Sequence, residues 1–311
     1  MLDLTNQQAL ATSAQRWRAR ASLFRPAQEP MDPSIHGVEV IGKTEAKEFV
    51  IQHHYSGSFP YEMNSVGLFR KDGDFLASRL VGVASFSTPS NPNSITRWSG
   101  LGTEEGAELG RFVLLDEVEG NAETWFLARA LRLFKAQRPG IRVVLSYSDP
   151  HPRRNAAGKI VFPGHIGGVY SASNALFCGR ASPKTLYLTP DGKAIANRIL
   201  SKLRNGEEGR AYAERMLTEA TGCVREELEE PSAYVERALA TLRVERHAGN
   251  YLFVFPLAAD RREKKAVLSL PVLRSHSLGI DRYPKQVDPL QSMRINANGT
   301  CELLPQLELA I

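Results

Sequence analysis

Along this 311-residue chain, apolar and polar residues alternate in short segments, the period of strands, between longer stretches whose apolar residues recur every three or four positions. A strand is predicted at Val38 to Ile41. It is followed by a helix with Thr44 as its cap, Glu45 in its first turn and Phe49 and Val50 on its apolar face. That helix runs into HHYSGSFP. Two further strands, Ser65 to Arg70 and Leu80 to Ser87, flank the turn-forming KDGD and predict a meander. After the polar stretch Ser90 to Gly106, ELGRFVLL (Glu108 to Leu115) alternates and then turns apolar, as a central strand does. Asn121 is predicted to cap a helix reaching about Lys135. A strand at Ile141 to Tyr147 leads into Asp149, a basic loop, and a glycine-rich turn that carries His165 and Tyr170 at the mouth of a helix. Thr185 to Leu188 reads as a strand ending at Pro190-Asp191-Gly192. Residues 191 to 245 read as helices broken near Asn205-Gly206 and Gly222, with Pro231 in the first turn of the last. A strand at Tyr251 to Phe255 and a basic extension follow. The order of elements predicts an α/β fold.

Three segments are expected: a basic N-terminal arm over 1–34, a catalytic domain with a helical C-terminal elaboration over 35–285, and a polar tail over 286–311. A hydrophobic fraction of 42% and a charged fraction of 23% fit a globular protein, and no apolar run approaches the ~20 residues of a membrane span. Cys178, Cys223 and Cys301 lie far apart and form no CxxC pair, so neither a disulfide framework nor a zinc knuckle is expected. The first residues have no basic start or apolar run, so a cytoplasmic location is expected rather than export. The net charge of +5 points to a polyanionic partner. Basic residues cluster at Arg16 to Arg25, around Arg153, Arg154 and Lys159, at Arg198 to Arg215, and at Arg243 to Lys265. Any one cluster reads as a solvated face, but four together favour nucleic acid.

The densest chemistry lies between Leu145 and Gly179, where a carboxylate, an imidazole and a phenol follow the end of a strand, the place where open sheets hold ligands. Arg111 falls on a strand expected to be buried, so its guanidinium is expected to pair with Asp149, Glu108 or a ligand anion. Asp149 could accept a proton from an amine, and Tyr55 or Tyr170 could stack on a base or protonate a leaving group. His53, His54 and His165 with Asp149 form a candidate site for iron or another metal. Adjacent histidines on a helix point about 100° apart, so one of His53 and His54 is expected to face it. Trp98 and Trp125 read as packing residues.

The motifs HHYSG at 53–57, ELGRFV at 108–113, NAETWFLARAL at 121–131, SYSDP at 146–150 and GHIGGVYSASNALFCG at 164–179 resemble, in this order, the Mom family of phage DNA-modification proteins. The resemblance spans about Phe49 to Asp191 and, more weakly, the RYPK segment near 282–285. It implies a GNAT-like acyltransferase fold, a central mixed sheet flanked by helices. It also implies an activity that adds a carbamoylmethyl group to the exocyclic amine of adenine in double-stranded DNA, protecting that DNA from restriction. The positions matching the family's functional residues are Tyr55, Arg111, Asp149 and Tyr170, with Thr124 where the family has a hydroxyl residue. His54, Ser56 and His165 lie within the same motifs and are taken as substrate-binding candidates. Between Asp149 and Tyr170, HPRRNAAGKIVFP reads as an insertion, and Arg153, Arg154 and Lys159 in it are expected to contact DNA. The loop DEVEGN lacks the Q/RxxGxG that cradles coenzyme A pyrophosphate in acyltransferases. The donor therefore stays open between acetyl-CoA and another small molecule, and a homodimer is compatible with the sequence. Two other readings stand beside this one: an acyl-CoA dependent N-acetyltransferase, and a non-catalytic phage DNA-binding accessory protein.

Overall fold

The computed structural model describes residues 13–26, 29–71, 78–277, 293–295 and 301–303. Residues 1–12, most of KDGD, the RYPK segment and most of the C-terminal tail lie outside the described residues. The chain divides into two units. The first comprises Met1–Pro150, Gly164–Ala181 and Asn250–Ile311; the second comprises His151–Pro163 and Ser182–Gly249.

In chain order the elements are β1 (Ser13–Arg18), β2 (Ala21–Pro26), β3 (His36–Ile41), α1 (Lys43–His53), β4 (Glu62–Arg70), β5 (Arg79–Ser87), α2 (Asn93–Ser99), β6 (Gly106–Leu114), α3 (Ala122–Gln137), β7 (Val143–Ser148), β8 (Arg153–Arg154), β9 (Ile160–Phe162), α4 (Gly168–Ala172), β10 (Leu176–Arg180), β11 (Lys184–Leu188), α5 (Asn197–Arg204), α6 (Arg210–Thr221), α7 (Pro231–Leu239), β12 (Arg243–His247), β13 (Tyr251–Pro256), α8 (Arg261–Leu268), α9 (Pro271–Ser277), β14 (Met293–Ile295) and β15 (Cys301–Leu303). No helix among the described residues is long and apolar enough to cross a membrane.

The first unit is built on a seven-stranded sheet in the order β10-β13-β7-β6-β5-β4-β3. The expected mixed sheet flanked by helices is present. The strands β4 and β5 bury nearly continuous apolar runs, as central strands covered on both faces do. Phe126, Leu127, Ala130 and Phe134 of α3 join Val66, Leu68, Phe86, Val144 and Phe253 in one core, in which the rings of Phe86 and Phe134 stack at 4.1 Å. Ile95 of α2, Val267 of α8 and Leu273 of α9 pack with Val143, Leu145, Leu252 and Val254 in a second.

One irregularity in this sheet positions chemistry. Within it β6 and β7 are the parallel pair, and their pairing covers only Gly106–Glu108 against Val143–Leu145. Beyond Glu108, β6 continues with β5 to Leu114 while β7 continues with β13 to Ser148, so the two strands part. A bulge lies just past the parting. Ser85 pairs with Arg111 and Phe86 with Leu109, leaving Gly110 as the extra residue. A side chain there would meet the Ser87 hydroxyl at 2.6 Å and Pro60 at 3.1 Å, so the glycine lets these groups approach closely.

The second unit has its own core, in which Leu200 and Leu203 of α5, Ala213 and Leu217 of α6, and Tyr234, Val235, Ala238 and Leu239 of α7 meet. It holds two antiparallel ladders, the local pair β8–β9 and the pair β11–β12, whose strands are separated by α5, α6 and α7.

Several local expectations change. Thr44 lies inside α1, whose cap position is Gly42, and neither Gly42 nor Asn121 makes a side-chain capping bond. The polar stretch Ser90–Gly106 contains α2, and the basic extension after β13 forms α8 and α9. The basic cluster Arg16 to Arg25 lies on the hairpin β1–β2. There Arg16 is fully buried against Glu123, because its partner lies on a distant helix that the local charge pattern does not reveal.

Candidate active site

The candidate residues of the first unit come from separate segments around the parting of β6 and β7. At the C-terminal end of α1 the chain leaves the helix as His54-Tyr55-Ser56. The His54 imidazole is buried, and its Nδ1 accepts the Ser56 backbone N–H at 3.2 Å and lies 2.9 Å from the Ser56 hydroxyl. A ring nitrogen that accepts an amide proton is bare, so the neutral ring carries its proton on Nε2. Burial holds the imidazole pKa well below its ordinary value, and the nearby Arg111 and His165 push it the same way. The Tyr55 ring lies 4.3 Å from that of His54.

Arg111, just past the bulge, donates from Nε to the Ser58 carbonyl at 2.9 Å, from a terminal nitrogen to the Ser58 hydroxyl at 2.8 Å, and to the Gly110 carbonyl. The expected carboxylate pairing is absent from these bonds: all three acceptors are neutral. Burial lowers the Arg111 pKa, and the neighbouring Tyr55 and Glu108 oppose that shift.

Glu108, named in the sequence only as a partner for Arg111, stands out in the structure. It occupies the last paired position before the strands part, half-buried, with no side-chain hydrogen bond among the described residues. Burial pushes its carboxyl up to about 7 against the pull of Arg111. The phenols of Tyr147 and Tyr170 both feel its charge. The signal in the sequence was a lone glutamate opening an otherwise apolar central strand.

Across the parting, the Asp149 carbonyl accepts the His165 N–H at 2.8 Å, which closes the ends of the HPRRNAAGKIVFP insertion. Asp149 itself is 6% exposed. The short α4 starts at Gly167, whose φ of +83° and close approach to the Phe253 ring exclude a side chain. It carries Tyr170 into the core edge-on to Phe253 and Phe255, with His165 at 6.3 Å. Burial pushes the Tyr170 hydroxyl up to about 12, with the nearby Ser146 acting against it. This phenol therefore stays protonated at ordinary pH.

Other candidates lie elsewhere. His53 packs on Phe49 at 4.8 Å, and its Nδ1 faces the Ala19 N–H on the β1–β2 hairpin, so His54 is the histidine that turns toward Arg111 and His165. The set of His53, His54, His165 and Asp149 does not assemble: among the described residues no three His, Cys, Asp or Glu side chains are placed to hold a metal. Thr124 is half-buried in the first turn of α3 and makes no side-chain hydrogen bond among the described residues. Arg153, Arg154 and Lys159 belong to the second unit. There Arg153 lies over the Phe162 ring at 4.5 Å, Arg154 donates to the Gly158 carbonyl at 2.8 Å, and Lys159 is exposed.

The loop before α3 does not fit coenzyme A pyrophosphate. It carries Asp116, Glu117 and Glu119, and its carbonyls at 116 to 119 accept from Arg25, Arg70 and Arg16. Acidic side chains and carbonyls turned toward cations oppose a phosphate.

A sequence-family model described as the Mom protein family matches residues 36–230, more than half of the chain. The chain is also 28% identical over 177 residues to "Methylcarbamoylase mom" of Escherichia phage Mu. That match covers 56% of this chain and 66% of the relative, just under two thirds of the relative's length.

Proposed function

Because the chain belongs to the Mom protein family, we propose that it is a DNA-modifying transferase that places a carbamoylmethyl group on the exocyclic amine of adenine in double-stranded DNA. The observation that carries this reading is that His54, Tyr55, Glu108, Arg111 and Tyr170 lie close enough to act on one another near the parting of the sheet, with Asp149 just past the end of β7. These groups come from α1, β6, the end of β7 and α4. The sheet order, with β6 and β7 parallel, supports the acyltransferase-like architecture that the motifs imply.

An adenine inside a duplex must be extruded, at a cost of a few kcal/mol, before its amine can be reached. Tyr55, half-buried, offers a flat surface for the extruded base, backed by the buried His54 ring. The amine is a poor nucleophile while its lone pair is shared with the ring, so a base must take a proton as the new bond forms. Asp149 is assigned that role. Glu108, with a carboxyl near pH 7, is a second group able to hold or return the proton. Tyr170, protonated at all ordinary pH, donates to the departing group of a small-molecule donor. Arg111, whose hydrogen bonds among the described residues go to neutral oxygens of Ser58 and Gly110, is assigned to attract an anion. Arg153, Arg154 and Lys159 are assigned to the DNA phosphates.

Expression in a host, digestion of its DNA to nucleosides and mass spectrometry test the reading. A modified deoxyadenosine, with DNA newly resistant to adenine-sensitive endonucleases, is expected. Unmodified nucleosides from cells with abundant folded protein would overturn it, and acetyl-CoA consumption with an amine acceptor would favour an N-acetyltransferase instead.

A further inference from the structure

The hairpin β1–β2 lies outside residues 36–230, yet it is built onto the candidate site. Its anchor is Arg16. Nε donates to the Val118 carbonyl at 3.0 Å, the terminal nitrogens donate to the carbonyls of Gln15 and Glu119, and the Glu123 carboxylate completes the set. Each donor nitrogen of this fully buried guanidinium therefore has a partner, as burial of a charge requires. Next to it, Trp17 bridges to Leu115, directly after β6. At the tip, the Arg20 backbone N–H donates to the His53 carbonyl at 3.1 Å and its Nε to the Ile51 carbonyl at 2.9 Å. These are carbonyls of the last turn of α1, which have no partners within a helix, and a cation is favoured there. The hairpin thus caps the helix end from which His54, Tyr55 and Ser56 emerge. The indole of Trp17, 6% exposed, lies 5.1 Å from the Tyr55 ring and stacks on His54 at 6.2 Å.

We propose that the hairpin Ser13–Pro26 is a working part of the active site, with Trp17 the positioning residue that holds the Tyr55 ring and the His54 Nε2–H in register for the substrate. The inference rests on the reading of that group as the modification site. A hairpin serving stability alone would need the Arg16 anchor but no aromatic stack on the two site rings. Trp17 supplies the stack, and its rigid bicyclic ring fixes ring planes that a methyl-bearing side chain would leave free. Small losses of register are costly in transfer chemistry, because a reacting atom displaced by about 1 Å can lower turnover ~100-fold.

The test uses the full chain with Trp17→Phe, Trp17→Leu and Trp17→Ala, each checked by thermal melting. Turnover on duplex DNA is expected to fall about tenfold or more in the Leu and Ala variants with KM for DNA unchanged, and Trp17→Phe should restore most of it. Long-range ¹H–¹⁵N spectra of the His54 ring, identified by its loss in His54→Gln, should show the single Nε2–H form in the parent and an averaged ring in Trp17→Leu. Parent turnover in a folded Trp17→Leu variant would overturn the proposal. So would a His54 spectrum unchanged in that variant. If the parent itself leaves DNA unmodified, the functional reading fails, while the imidazole spectra still decide whether Trp17 positions the ring.

Discussion

Arg16 and Arg111 are both drawn out of water in the same unit, and the two regions satisfy them differently. Around Arg16 the loop before α3 supplies backbone carbonyls, and α3 supplies the Glu123 carboxylate. Charge meets charge and little is left over for a ligand. Around Arg111 the hydrogen-bond acceptors are the Ser58 carbonyl, the Ser58 hydroxyl and the Gly110 carbonyl, and Glu108 stands close enough to be felt without a bond. A guanidinium closed by a carboxylate stabilises a fold, whereas one held by neutral oxygens keeps its charge for an incoming anion. On the proposed reading, the same residue type is a structural latch in one region and part of a site in the other.

Removing each arginine is the sharpest way to break this contrast. Arg16→Ala leaves the Glu123 carboxylate, already pushed up by burial, without its partner, and should cost about 3–5 kcal/mol in denaturant unfolding. Arg111→Gln should stay within about 1 kcal/mol of the parent while losing roughly 100-fold or more of its modification rate. Equal losses of stability in both variants would erase the distinction between latch and site.

Glu108 sharpens it through pH. Its carboxyl titrates near 4.5 in the unfolded chain and near 7 in the fold. Between those values the unfolded chain binds fewer protons, so stability should decline as pH rises through the window and level off above it, by at most roughly 3 kcal/mol. Glu108→Gln should flatten that slope and remove the limb of the rate profile that rises near pH 7. An unchanged profile would exclude Glu108 from the proton path.

The smallest effect is expected at the basic hairpin of the second unit. Replacing Arg153, Arg154 and Lys159 with Ala should weaken DNA binding on all sequences alike. It should also reduce the salt dependence of log K by roughly 0.9 for each phosphate that is no longer neutralised. An unchanged slope would move the phosphate-binding role to another basic surface, with Arg198 to Arg215 the next to test.

Much of this architecture is legible in the chain alone. The short apolar runs that became β4, β5 and β13, the alternating start of β6 and the helical run of α3 declare themselves because side-chain direction and hydrophobicity are local properties of the chain. The motif order named Tyr55, Arg111, Asp149 and Tyr170, and HHYSG placed His54 beside them. Less is legible where a residue's meaning depends on a remote partner. RWRARASLFR shows a basic stretch, but Arg16 and Glu123 stand 107 positions apart, and nothing local says that this arginine is buried. Ser58 gave no signal of holding Arg111, and Ile95 anchors a helix within a stretch whose polarity hides it.

The sequence by itself determined most strands of the central sheet, α1 and α3, their order and the residue types available for chemistry, because periodicity, turn residues and side-chain functional groups are properties of neighbours along the chain. It did not determine the hairpin β1–β2, α2, β12, α8 or α9. Only the tertiary structure decided that β6 and β7 part after Glu108, that Gly110 bulges, that Arg111 hydrogen-bonds to Ser58 and the Gly110 carbonyl, and that a hairpin outside the family match packs its Trp17 on Tyr55 and His54. Those outcomes follow from strand register and from burial against distant segments. A side chain's charge state and freedom are set there by the dielectric and the partners that folding brings to it.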